Sequence, residues 1–239
     1  MKPAALAACT VLALAACASN PRLERLVPPE APPGGRLSPD PPWTLHVLDN
    51  PGLRLPNGLD AADVDGDGRL DLLTNYEWSG ALRVAFGPPP QEVRAPWPAL
   101  TIGRLPNAES SCFGDVDGDG DPDIVVVHGA EALARSGAAV LRNPGGARAR
   151  DPKAWGAARE LTAARGAGHW HYVRCRDLDG DGRLEIVVGG RGRAGPGLRL
   201  LAPPEEETRR ADFGRWSLGT IDAELESGHG LSLIHISEP

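Results

Sequence analysis

Three nine-residue segments of this 239-residue chain carry carboxylates at a spacing that can hold a cation. They begin at Asp63, Asp115 and Asp177, and each places acids at its first, third, fifth and ninth positions with glycine at the sixth. The acids are Asp63, Asp65, Asp67 and Asp71, then Asp115, Asp117, Asp119 and Asp123, then Asp177, Asp179, Asp181 and Glu185. A tight turn through the glycine brings such carboxylates around one point, and a carbonyl from the seventh residue (Arg69, Asp121 or Arg183) adds a neutral oxygen. Hard oxygen donors in that number suit Ca²⁺ rather than zinc or copper, so three Ca²⁺ sites are expected. The competing reading is a bare Asp/Gly turn, and three coincident copies argue against it. An EF-hand is rejected, because its twelfth position needs glutamate and here holds Thr74, Val126 and Val188.

Other side chains offer weaker chemistry. Six residues before each first Asp stand Asn57, Glu109 and His171, three polar groups at equivalent points. If the strand entering each loop is the innermost of its unit, they form a pocket near the rim of the central channel, with His229 as the fourth partner. A Glu and a His facing each other there would be the one route to acid–base catalysis. His169 and His171 lie on one side of an extended strand and read as its polar side, with half a metal site as the alternative. Cys112 and Cys175 occupy near-equivalent places, three and two residues before their first Asp, and read as separate buried thiols. No Ser-His-Asp arrangement, phosphate loop or Cys-x-x-Cys motif accompanies them.

The elements that position these groups are read as β-strands. Glycine (30) and proline (24) make up nearly a quarter of the chain and aromatics only 5%, a turn-rich composition unlike a helical bundle. The net charge is −7, yet the three loops hold 13 of the 32 acids, and without those 13 the chain's 25 basic residues face 19 acidic ones. The acidity is therefore local, and the scattered arginines do not form the stripe that nucleic acid requires. The loops recur at intervals of 52 and 62 residues, and Trp43, Trp97 and Trp155 precede them at similar distances. Trp216 would open a fourth unit. Apolar runs follow each loop at Leu70–Thr74, Ile124–Val127 and Ile186–Val188, with further strands such as Trp43–Leu48, Leu59–Val64, Ala81–Phe86 and Gly197–Leu201. Four strands per unit of 50–60 residues make an all-β propeller of about three and a half blades: 43–96, 97–154, 155–215 and a partial 216–230. A short helix is expected around Lys153–Ala164, as an insertion between blades.

This loop in this repeat resembles the FG-GAP and VCBS repeat family, whose members are similar to the integrin α-subunit propeller. The resemblance covers about Trp43 to Gly230 and implies a Ca²⁺-braced β-propeller with the twelve acids above as ligands and Arg69, Asp121 and Arg183 giving carbonyl oxygens. Two departures stand out. Glu185 replaces Asp at the ninth position, and Phe113-Gly114 lies too close to its loop to be the family's Phe-Gly pair. The Trp-led repeats are also similar, more weakly, to aldos-2-ulose dehydratase, a propeller enzyme.

The two ends of the chain are different material. Residues 1–16 have a charged start and an Ala/Leu-rich stretch too short for a permanent span, the pattern of an export signal. Leu14-Ala15-Ala16-Cys17 resembles the bacterial lipobox, which implies lipidation at Cys17. Ala18 rather than Asp follows it, which implies the outer membrane of the bacterial cell envelope. Residues 17–42 hold eight prolines and read as a stiff tether. Residues 231–239 match the translation of a sequencing-adapter end, so the native chain is expected to continue beyond about Gly230 into a fourth acidic loop. The leading expectation is a noncatalytic, membrane-anchored Ca²⁺ propeller that binds a protein or glycan and no nucleic acid. The rival is a carbohydrate lyase or isomerase with its site at the propeller mouth.

Overall fold

The computed structural model describes residues 44–129, 133–192 and 195–225. The export signal, Cys17, the tether, Trp43, His229 and the adapter-like tail lie outside the described residues. The strands, in chain order, are β1 Pro56–Ala62, β2 Asp71–Tyr76, β3 Ala81–Ala85, β4 Ala99–Arg104, β5 Ala108–Gly114, β6 Asp123–His128, β7 Gly137–Leu141, β8 Arg159–Glu160, β9 His169–Arg176, β10 Glu185–Arg191, β11 Gly197–Ala202 and β12 Ser217–Asp222. They form three antiparallel four-stranded sheets, each pairing its strands in sequence order, and none closes on itself. Short 3₁₀ turns link them, and the described residues contain no α-helix.

Alternation of side chains along the strands builds the core between the sheets. On β6, Ile124 and Val126 face the first sheet beside Leu73, Val84 and Phe86, while Val125 and Val127 face the third beside Val173, Ile186 and Val188. The run is continuously apolar because both of its faces are covered. Each such side chain contributes on the order of 1.5–3 kcal/mol by leaving water. The inner strands β1, β5 and β9 pack on one another in series. Asn75 joins the first pair of sheets, its Nδ2 donating to the Ala108 carbonyl at 2.7 Å while the Ser111 hydroxyl donates to its Oδ1 at 3.0 Å.

Three expectations change. First, the Trp-led strand closes a sheet rather than opening one: β4, β8 and β12 follow Trp97, Trp155 and Trp216 and pair with β3, β7 and β11. The unit limits at 43, 97, 155 and 216 therefore move, and the blades run from β1, β5 and β9. The described residues make three four-stranded sheets of the incomplete propeller. Connections of 13, 17 and 14 residues (86–98, 142–158 and 203–216) carry the fourth strand back beside the third, where its backbone groups find partners. Second, residues 44–48 form no strand. They run along the first sheet, where Asp49 takes a two-pronged ion pair from Arg83 (2.7 and 2.9 Å) and the Leu48 carbonyl accepts from Trp97 N–H.

Third, Lys153–Ala164 is not a helix. It contains a turn, β8 and one 3₁₀ turn at Thr162–Ala164. Trp155 is drawn into the core, its indole N–H donating to the Ala149 carbonyl at 2.9 Å, and Gly156 adopts a φ of +71°. Trp216 does the same with the Arg210 carbonyl at 3.0 Å, so each tryptophan clamps the turn ahead of its strand.

Candidate metal centres and the facing cavity

The acidic loops connect the first strand of each sheet to the second and fold through local hydrogen bonds. Asp63 accepts from the Asp67 and Gly68 amides at 3.0 and 2.8 Å. Asp115 accepts from Gly118, Asp119 and Gly120, and Asp177 from Gly180 and Gly182. The sixth-position glycines Gly68, Gly120 and Gly182 hold φ of +83°, +93° and +86°, a region costly for any residue with a Cβ. Three groups result: Asp63, Asp65 and Asp71; Asp115, Asp117 and Asp123; Asp177, Asp179 and Glu185. In each, one oxygen per residue lies within 4.8 Å of the others. Three converging all-oxygen clusters fit a hard divalent cation.

The ninth-position acid also ties the loop to the sheet. Asp71 accepts from Val64 N–H at 2.9 Å and Gly87 N–H at 2.8 Å. Asp123 accepts from Val116 at 3.3 Å and Asn143 at 2.8 Å. Glu185 accepts from Leu178 alone, at 2.9 Å. By strand register the residue that answers to Gly87 and Asn143 in the third sheet is Pro203, which has no N–H to give. Burial pushes all three carboxyls up from the usual range, Asp123 to about 7. The nearby like charges act in the same direction.

The fifth-position acids Asp67, Asp119 and Asp181 stand outside these groups and turn to arginines. Asp67 pairs with Arg69 and with Arg150 (3.1 Å), Asp119 with Arg142 (3.3 Å) and Asp181 with Arg183 (2.5 Å). Arg150 also pairs with Asp65, and Arg142 with Asp117. Arg150 reaches the first loop from the second sheet's Trp-clamped turn, lying 4.5 Å over the Phe86 ring. Arg210, from the corresponding turn of the third sheet, lies against Gly118 of the second loop. These arginines are scattered along the sequence, and the place of Arg150 and Arg210 five and six residues before Trp155 and Trp216 is the one signal of their role.

At the opposite end of the sheets, Asn57, Glu109 and His171 come together. His171 Nδ1 is 3.2 Å from Glu109 Oε2, and Asn57 Nδ2 stands 3.5 Å from both Glu109 Oε2 and Glu77 Oε2. Each lies where its inner strand breaks register: Ala108 and Ser110 pair with His128 and Val127, leaving Glu109 extra, and His171 is extra between Trp170 and Tyr172. The first strand slips likewise between Pro56 and Leu59. There Gly58 has φ +105°, and a Cβ would stand 2.6 Å from Asn75 Oδ1. A bulge re-aims its side chain out of the pleat. All three therefore turn to one region, where Glu109 and His171 line a cavity of about 1110 Å³ shared with His128, His169, Arg135 and Arg191. Burial holds His128 below the usual imidazole range. No metal-competent group forms there among the described residues.

Loop, following strands and repeat length come together in a family match. An FG-GAP-like repeat profile matches residues 63–126 and 115–188, each running from one acidic loop through the apolar strand after the next. The chain belongs to the FG-GAP-like repeat family. No curated protein matches it. Its three sheets are accordingly propeller-like blades, and the acidic clusters are the repeat's own loops.

Proposed function

We propose that this FG-GAP-like protein is a Ca²⁺-braced binding module, held at the bacterial envelope by lipid on Cys17, that takes a protein or glycan ligand in the 1110 Å³ cavity. The observation that carries this reading is the triple bulge, which turns Asn57, Glu109 and His171 from three adjacent blades toward one region. Such a convergence of polar groups on a concavity is the usual form of a ligand site. The metal loops lie at the far end of the same strands. There Ca²⁺ would neutralise the clustered carboxylates and stiffen the connections that set the blades side by side.

Glu109→Gln and His171→Ala, made in the full chain, should each weaken the same glycan or protein on an array while leaving Ca²⁺-dependent melting intact. Unchanged binding profiles for both variants would overturn the cavity assignment. Equal melting curves in calcium and in chelator would overturn the metal assignment. Persistence of fatty-acid labelling in Cys17→Ser would overturn the anchor.

The His171–Glu109 contact supports a second reading, a carbohydrate lyase or isomerase. A carboxylate on Nδ1 fixes the orientation of the ring and leaves the other nitrogen to abstract a proton. Release of an unsaturated sugar from a bound glycan, lost in His171→Ala, is the result that would favour it over simple binding.

A further inference from the structure

We infer that Cys112 and Cys175 are an oxidisable pair that closes a disulfide between the inner strands of the second and third blades. Both are free thiols here, Cys112 fully buried and Cys175 half-buried. Their near-equivalent positions in different blades made them read as separate, but inner strands of adjacent blades approach each other, and β5 packs directly on β9. Cys175, on β9, packs against the buried cluster that contains Cys112.

Gly114 makes the contact possible. It follows Cys112 by two residues and so shares its side of β5. A Cβ at Gly114 would stand 2.7 Å from Cys175 Cβ and 3.2 Å from its Sγ. The Cys175 side chain therefore lies across the bare Cα of Gly114, next to Cys112. Gly114 has no positive φ, so close approach rather than backbone conformation accounts for a glycine at this place.

The chemistry needs only a small-molecule disulfide as oxidant. Cys175, the less buried of the two, loses its proton and attacks one sulfur of that disulfide, forming a mixed disulfide and expelling one thiol. Cys112, on losing its proton, then attacks Cys175 Sγ and expels the second thiol. Two protein thiols have lost two protons and two electrons, and the oxidant is reduced to two thiols. The bond would tie together the chain just ahead of Asp115 and Asp177, and so fix the entry points of two acidic loops. An exported protein meets the oxidising conditions under which such a bond persists.

The folded full-length chain, reduced and then incubated with oxidised glutathione, should give on non-reducing peptide mapping one species joining the Cys112 and Cys175 peptides, lighter by two hydrogens. The oxidised protein should melt roughly 5–10 °C above the reduced form. Gly114→Ala, which keeps both cysteines, should lose the cross-link. If that variant does not fold, the map of the unaltered chain decides alone. Recovery of both cysteines as free thiols, or of Cys175 carrying glutathione beside a free Cys112, would overturn the proposal. So would a Cys175 to Cys175 link between molecules, or a full yield of cross-link in folded Gly114→Ala.

Discussion

His171 Nδ1 lies 3.2 Å from Glu109 Oε2 across the boundary between the third and second blades, and each residue is the bulge of its own inner strand. A strand without the extra residue would keep these side chains in the regular up and down alternation, and they would not share a target. The pair depends on two independent irregularities at matching depth. Because the acidic loops sit at the other end of the strands, the two sites are expected to be energetically independent. The calcium-induced rise in stability of Glu109→Gln should match that of the unaltered chain within about 0.5 kcal/mol, measured by urea unfolding in calcium and in chelator.

Removal of the ninth-position acid should cost different amounts in different blades. Asp71→Ala strands two buried amides, those of Val64 and Gly87, whereas Glu185→Ala strands only that of Leu178. Each orphaned group costs about 1–3 kcal/mol. Urea unfolding in chelator should therefore show roughly 2–4 kcal/mol lost for Asp71→Ala and about half that for Glu185→Ala. An equal or larger loss for Glu185→Ala would contradict the assignment of Pro203 as the mute partner.

Without calcium, stability should fall as pH rises through the acid range. Asp123 keeps its proton to about 7 in the folded chain, chiefly through burial, while the unfolded chain releases it near 3.8. Between those values the folded state binds more protons, so the slope of unfolding free energy against pH is negative. Asp71, Asp117 and Glu185 are pushed in the same direction by the same first cause. Tm in chelator should decline from about pH 4 to about pH 7. Calcium displaces the proton, so its stabilising effect should grow over that window. A chelator curve that rises with pH would refute this account.

Arg150 should compete with the cation of the first loop. It pairs with Asp65 and Asp67 from the neighbouring blade, and Asp65 belongs to the group that would hold a bound divalent ion. Arg150→Ala is expected to tighten calcium binding at one of three sites by about 3–10-fold, a gain of order 1 kcal/mol, as for a partly exposed ion pair released. It should also lower stability in chelator, since Phe86 loses its covering guanidinium. Calorimetric titration of the variant checks both signs.

The sequence by itself determined the loops. Their donors, glycines and turn hydrogen bonds all fall within nine residues, so spacing alone brings Asp63, Asp65 and Asp71 together, and the same holds for the other two copies. It also determined the β-strands that follow each loop, because the apolar runs at 124–127 and 186–188 have no helical period. Partners distant along the chain were decided by the tertiary structure. Which sheet the Trp-led strands join depends on which edge offers free amides and carbonyls, and that edge lies behind them rather than ahead. The turning of Asp67 and Asp119 to Arg150 and Arg142, the absent amide at Pro203 and the packing of Cys175 against Gly114 all arise between segments 18 or more residues apart. Packing of whole sheets sets such contacts, and no local spacing encodes them.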